Sequence, residues 1–225
     1  MCGIIAVVRR PSRREPPPSD GLLAQLDAAV AAAGGFSTLA GAAAAAEAAD
    51  TALRGVPGVR SLLADAWLPA ALVARLDRLD AEVARIEGEL DSGDAPAPVS
   101  PGSPDVEAVN AALVRLKDAL WAIRHDRLRT AQAVGDLAGP DAGVAALEAY
   151  TSVQTALSAI DRLEVRGRDS AGLHVLVGGH GLDLDSPEIA ELLRDRTGDR
   201  LFTSMAVRTP GSQLAFVYKA AAEIG

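Results

Sequence analysis

The residue best placed for chemistry is Cys2, the only cysteine in the 225-residue sequence. If Met1 is removed, Cys2 carries both a thiol and a free α-amine. An α-amine titrates near ~7.7–8.0 and a thiol near ~8.5, so the amine could take the thiol proton at neutral pH. The alternative is a small buried side chain, because free cysteine packs as a small hydrophobe. This segment alone leaves the two interpretations level.

A second segment with polar chemistry runs from Leu163 to Leu173, between a helical pattern and an apolar strand pattern. Gly167 can adopt positive φ and end the helix after Arg166. Asp169 and Ser170 can accept hydrogen bonds from nearby amides in the turn. Taken alone, this string indicates an ordinary helix-to-strand connection.

Together the two segments resemble the class II glutamine amidotransferases, which are N-terminal-nucleophile hydrolases. The resemblance is closest to the glutaminase domain of the glucosamine-6-phosphate synthase (glutamine–fructose-6-phosphate aminotransferase) family, and covers residues 1–8 and 147–178. The sequence departs from the family at Val165 and Arg168, where the family usually has tyrosines. It matches at Cys2, Gly3, Ile4, Leu163, Glu164, Arg166, Gly167, Asp169, Ser170, Ala171 and Gly172.

This resemblance implies a reaction and a set of site residues. Cys2 would attack the side-chain amide of glutamine, form a thioester and release ammonia. Arg166 and Gly167 would shape the substrate pocket. Ammonia would then pass to a sugar-phosphate acceptor, bound by domains that the sequence does not contain. No cofactor and no metal are implied.

Two departures from the family are large. Residues 9–146 separate segments that a short connection joins in the family. The downstream His-Thr-Arg-Trp and Asn-Gly segments, which bind glutamine and form the oxyanion hole in the family, are missing, and Asn110 is the only asparagine. Each lost oxyanion donor costs about 10²–10³ in rate. We therefore expect an N-terminal piece of a longer enzyme, inactive on its own.

Two other functions stay open. One is a class II amidotransferase of another type, either amidophosphoribosyltransferase or asparagine synthetase. The other is a non-catalytic helical interaction module in which Cys2 is a relic. A retained Met1 would block the α-amine and favour the second.

Composition narrows the class of protein. The net charge of −8 disfavours a nucleic-acid or anionic-membrane surface. A single cysteine suits a reducing cytoplasm, and the apolar run preceding Arg9 has the wrong order for a signal peptide. No stretch approaches the ~20 apolar residues of a membrane span. His125, His174 and His180 lack zinc-type spacing.

The middle of the chain predicts helices. Two heptad seams, each with apolar spacings of three and four, are separated by a Ser/Gly/Pro linker. They predict an antiparallel hairpin of Pro69–Asp91 against Pro104–Leu128, standing apart from the rest of the chain. The hairpin is either an internally satisfied helix pair or an arm for docking or homo-oligomerisation. The seams consist of Leu72, Leu76, Leu79, Val83, Ile86 and Leu90, and of Val106, Val109, Leu113, Leu116, Leu120 and Ile123.

Strand patterns lie at both ends of the chain. Residues 3–8 predict a fully buried strand, and residues 173–177 a hairpin with 182–184. Ser186 predicts a helix cap before Pro187, and residues 206–209 a second hairpin with 213–218. The predicted fold is a partial α/β N-terminal-nucleophile hydrolase-like domain, residues 1–8 and 147–225. A large all-α insertion at 19–146 contains the antiparallel coiled-coil hairpin, about 69–128.

Overall fold

The computed structural model describes residues 3–92, 106–163, 170–198 and 206–221. Of the described residues, 66% are helical. A seven-residue π-helix, Ala122–Leu128, interrupts the run of α-helices. The other elements are α1 (Ser19–Ala33), α2 (Leu39–Ala52), α3 (Gly55–Ala64), α4 (Leu68–Asp91), α5 (Val106–Trp121), α6 (Arg129–Ala138), α7 (Val144–Arg162), β1 (Ser170–Val177), α8 (Pro187–Gly198), β2 (Val207–Arg208) and β3 (Leu214–Ala221).

The chain divides into two compact units. One is Arg10–Thr151, which we call the helical unit, and the other combines Met1–Arg9 with Ser152–Gly225, which we call the mixed unit. Helix α7 contributes residues to both. The sequence-based boundaries were drawn at residues 8, 19 and 146, whereas the structure changes unit after residues 9 and 151.

The core of the helical unit is built on the alanine-rich helix α2. Ala42, Ala46 and Ala49 are fully buried, as is Ala43 beside them. Short side chains on this face let α1 and α5 both pack closely against α2. Helix α4 packs against α1, and α3 against α6. The helices therefore share one hydrophobic core.

The heptad seams are confirmed as buried helix faces except at Val106, the first residue of the second seam, which is 56% exposed. Leu72, Leu76 and Leu79 are fully buried on α4, and Leu116 and Ile123 belong to the same core. The separate coiled-coil hairpin is wrong, however. Helices α4 and α5 do contact each other, but α4 packs more extensively on α1 and α5 on α2. A heptad seam predicts which face of a helix is buried but not which helix covers that face. In this structure α1 and α2, which lie outside the predicted hairpin, are the main neighbours of α4 and α5.

Gly58 on α3 occupies a position where the chain has no room for a side chain. A Cβ at Gly58 would overlap the carbonyl group of Leu53 and lie 2.6 Å from the Leu53 Cα. Both clashing partners are backbone, so neither can rotate away. Gly88 on α4 is also helical, but a Cβ there would meet nothing within 4 Å.

We therefore expect alanine at these two helical glycines to change stability in opposite directions. Gly88→Ala should raise the free energy of unfolding by up to about 1 kcal/mol, because alanine has the higher helix propensity. Gly58→Ala should lower it by about 3 kcal/mol, since overpacking against backbone forces a main-chain shift. Urea denaturation followed by circular dichroism measures both, and stabilisation by both variants would contradict the predicted close approach.

The mixed unit contains a three-stranded antiparallel sheet in the order β1-β3-β2. Its predicted second hairpin is confirmed, because Val207 and Arg208 pair with Phe216 and Ala215 across a turn at Gly211. The predicted first hairpin is wrong. Strand β1 pairs instead with β3 along its whole length, from Ser170 opposite Ala221 to Val177 opposite Leu214.

The α/β N-terminal-nucleophile hydrolase-like fold predicted from the sequence is wrong for this structure. The described residues are mostly helical and form only this small antiparallel sheet. Helix α8 does begin as predicted, with the Ser186 hydroxyl accepting a hydrogen bond from the Ile189 amide at 3.3 Å and Pro187 at the first helical position. Local start signals were thus correct where the inferred fold was not.

Candidate functional site

The three residues predicted to carry the chemistry are Cys2, Arg166 and Gly167. All three lie outside the residues that the structure describes. The nearest described residue to Cys2 is Gly3, and the nearest to Arg166 and Gly167 are Leu163 and Ser170. The geometry of the candidate site therefore comes from Gly3, which follows the thiol, and from Leu163 and Ser170, which bracket the second motif.

The two motif segments approach each other in the mixed unit. A Cβ added to Gly3 would lie 2.7 Å from the Leu163 Cδ1 and 3.1 Å from its Cδ2. Six residues further along, the Arg9 Nη2 donates a hydrogen bond to the Thr155 hydroxyl at 3.3 Å. The segment after Cys2 thus contacts α7 near its C-terminal end and again about two turns earlier. Glycine at position 3 permits this approach, because any larger side chain would displace Leu163.

The predicted buried strand at residues 3–8 is wrong. This segment pairs with no strand among the described residues, and Ile4 and Val8 expose 95% and 93% of their surface. An apolar β-branched run needs a neighbour on each face before it is fully buried. The pattern identified residues that are suited to a strand, but it contained no information on whether a neighbouring strand is present to pair with them.

The loop after β1 is organised by His180 rather than by the predicted strand at 182–184. The Leu182 amide donates to the His180 Nδ1, and the His180 Nε2 donates to the Ser212 carbonyl, each at 3.0 Å. Because Nδ1 accepts, the proton of the neutral ring lies on Nε2. His180 thereby joins this loop to the turn before β3. Across the described ranges, no group of three or more His, Cys, Asp and Glu side chains lies together as metal ligands would.

A buried charge cluster in the helical unit was not predicted. Asp50 is 3% exposed and accepts hydrogen bonds from Arg54, one turn along, and from Arg127 on the π-helix. The shortest contacts are 2.7 Å to Arg54 and 2.8 Å to Arg127. The spacing of Asp50 and Arg54 was readable as a helical pair. Arg127 is 77 residues away, and only the folded chain shows that it reaches the same carboxylate.

Arg14 extends this cluster to the segment that precedes α1. Its guanidinium donates to the Thr51 carbonyl in the last turn of α2 and to the Arg54 carbonyl just before α3. The last carbonyls of a helix lack intrahelical partners, so a cation there is favourable. Every contact described here supports the helical fold, and the cluster offers no nucleophile. It fixes the α2–α3 junction.

Exposed ion pairs connect α5 to its neighbours. The hydrogen bond from Arg115 lowers the pKa of the Glu47 carboxyl on α2, and Glu87 on α4 raises the pKa of Lys117. Because the pKa of Glu47 is lowered in the folded state, its pairing with Arg115 stabilises the fold at pH values above the usual carboxyl pKa. That stabilisation is lost as the pH falls through the lowered pKa. Solvent screening keeps such exposed pairs weak.

Over the residues described here, no single helix has the length and apolar character to cross a bilayer; only α3 and α4 taken together reach that composition, and they are bent by 106° at their junction. No protein-family model matches this chain, and no curated protein or solved structure is significantly similar to it.

Proposed function

We propose that the chain carries the nucleophile for hydrolysis of the side-chain amide of glutamine, with Cys2 as the attacking thiol. The observation that supports this is the contact between Gly3 and Leu163. One peptide bond joins Cys2 to Gly3, and another joins Leu163 to the Glu164–Asp169 stretch that resembles the amidotransferases. Gly3 and Leu163, 160 residues apart in the sequence, are in contact, and each is the described residue next to one of the two motifs.

The proposed reaction uses Cys2 as nucleophile and as carrier of its own base. Once Met1 is removed, the α-amine takes the thiol proton, and the sulfur attacks the amide carbon of glutamine. The C–N bond then breaks, and the nitrogen takes the proton and leaves as ammonia. Water attacks the resulting thioester, which releases glutamate and restores the thiol. Arg166 and Gly167 are the proposed pocket residues, and a sugar phosphate is the proposed acceptor of the ammonia.

A glutamine-mimicking electrophile tests this proposal. A diazoketone analogue of glutamine should give a single covalent adduct on the full chain, and free glutamine should slow its formation. Asparagine is the matched competitor, since it has the same amide on a side chain shorter by one methylene, and it should protect less. Intact mass spectrometry follows both the adduct and the loss of Met1. Labelling at equal rates with and without glutamine would contradict a glutamine site.

The second candidate is a helical interaction module without catalysis. An exposed apolar stripe on α5 favours it, because Val114 and Trp121 lie seven residues apart on one face and expose more than half of their surface. Large exposed apolar patches mark interaction surfaces. A retained Met1 together with no adduct would favour this candidate over the hydrolase.

A further inference from the structure

The sheet of the mixed unit has an open edge at strand β1. Over the part of the chain that the structure describes, β1 pairs with β3 alone, and no other segment forms a hydrogen bond with its main chain. Five of its eight residues are exposed and the other three are half-buried. Alternate residues of an antiparallel strand direct both amide and carbonyl to the same side, so this edge presents about four of each to solvent.

Strand β1 lacks the features that usually protect an exposed edge. Such edges commonly contain a charged side chain, a proline or a bulge. The sequence Ser-Ala-Gly-Leu-His-Val-Leu-Val contains no proline and, with neutral histidine, no charge. Its register with β3 runs residue for residue, from Ser170 opposite Ala221 to Val177 opposite Leu214, without a bulge. The edge is therefore suited to pairing with another strand.

The opposite edge of the sheet is different. Strand β2 is only two residues long, Val207–Arg208, one of the two is charged, and helix α8 contacts it. A contact that uses the same surface on both copies closes into a dimer, whereas growth at two different edges gives an open filament. Because only β1 offers a long open edge, joining two sheets there leaves short β2 strands at both outer edges.

The β1 edge is complementary to a second copy of itself. A two-fold axis normal to the sheet places two β1 strands antiparallel, so that the outward amides of each copy face the outward carbonyls of the other. The two registers with the longest overlap place either Leu173 or His174 on the axis, opposite its own copy. No charged side chain of β1 is brought against its equivalent in either register.

We propose that this chain forms a two-fold symmetric dimer through antiparallel pairing of β1 with β1 of a second copy. The two three-stranded sheets then join into one sheet of six strands. The interface uses neither Cys2 nor the exposed stripe of α5. The proposal is therefore independent of both candidate functions, and its failure would leave each of them standing.

Sedimentation equilibrium of the full chain tests the proposal. Between about 1 and 300 µM, we expect reversible conversion of the 23.1 kDa monomer to a dimer of twice that mass. The dimer should be of modest affinity, since one strand on each side makes an interface at the small end of the usual range. No species larger than the dimer should accumulate.

A charge placed on the edge should weaken the dimer. His174→Lys puts two ammonium groups directly opposite each other or about 7–8 Å apart, depending on the register, and like charges at these positions destabilise strand pairing. The dimer dissociation constant should rise about tenfold or more. His125→Lys is the matched control, because His125 is exposed on the π-helix of the helical unit, and it should dimerise like the wild type. Circular dichroism checks that both variants are folded.

Single-cysteine variants locate the axis. The Cys2→Ala background contains no thiol, and Leu173→Cys or His174→Cys then introduces one on β1. The residue on the axis has the Cβ of its copy about 4.5–5.5 Å away, close to the separation that a disulfide spans. In oxidised glutathione, one of the two should form a linked dimer at least tenfold faster than Leu192→Cys, at an exposed position on α8.

Four results would overturn the proposal. One is a monomer throughout the concentration range, which would leave the edge to a different partner or to none. Another is growth beyond the dimer with concentration, which would show open-ended association. The third is wild-type dimerisation of folded His174→Lys, and the fourth is cross-linking of both β1 cysteines no faster than Leu192→Cys.

Discussion

Cys2→Ala should take up no label from the diazoketone analogue of glutamine under conditions that convert the wild type to a single adduct. The expected loss is complete because the chain has no other thiol. Alanine also retains a free α-amine after Met1 removal, so the variant separates the thiol from its proposed base. Intact mass spectrometry of both proteins gives the result directly.

Ser170→Ala is the matched control for this experiment. Ser170 is exposed, begins β1 and is the other hydroxyl or thiol nucleophile within the two motifs. Its removal should leave the adduct unchanged. Equal labelling of Cys2→Ala and wild type would place the reactive group elsewhere, for example on Lys117 or Lys219, and would remove the basis for glutamine hydrolysis at the N-terminus.

The three predicted site residues, Cys2, Arg166 and Gly167, lie outside the described residues, so the site stays a prediction. The structure adds one contact that the sequence patterns did not predict, between Gly3 and Leu163. The surrounding fold was not predictable from the resemblance, because a motif of eleven matched residues does not specify the sheet around it. The described residues contain no α/β sandwich to support the motif.

Strand pairing shows the limit of local patterns. The glycine-rich turn after Val177 favoured a hairpin with the next apolar residues. The structure pairs Val177 with Leu214 instead, 37 positions along the chain. Both pairings satisfy the same alternation of side chains in β1. The choice depends on which segment pairs more favourably with β1, residues 182–184 or β3. The residues of β1 alone do not contain that information.

Helices were easier to predict than their partners. The period of the seams predicted which side chains of α4, α5 and the start of the π-helix face inward. Eight buried leucines and isoleucines followed it: Leu72, Leu76, Leu79, Ile86, Leu113, Leu116, Leu120 and Ile123. The Asp50 cluster illustrates the opposite case. Its arginine from the π-helix comes from a different part of the chain, and no helical period points to it.

Leu79→Asp should unfold the helical unit as a whole. Leu79 is fully buried in a core shared by α1, α2, α4 and α5. Removing a buried leucine costs about 2–5 kcal/mol, and an unpaired carboxylate in that space adds its own desolvation cost. The total exceeds about 5 kcal/mol, which reaches the whole stability of many domains. Circular dichroism and urea denaturation of the variant measure the loss of helix.

Val114→Asp is the matched control, with the same kind of change on the neighbouring helix α5. Val114 is 58% exposed, so the new carboxylate stays in water. Valine and aspartate have similar helix propensities, and the free energy of unfolding should change by less than about 1 kcal/mol. If Leu79→Asp instead lost only the helix content of α4 and α5, while the rest of the unit unfolded as in the wild type, those two helices would form an independent hairpin after all. The shared core predicts one transition, because α4 cannot leave without exposing the faces of α1 that it covers.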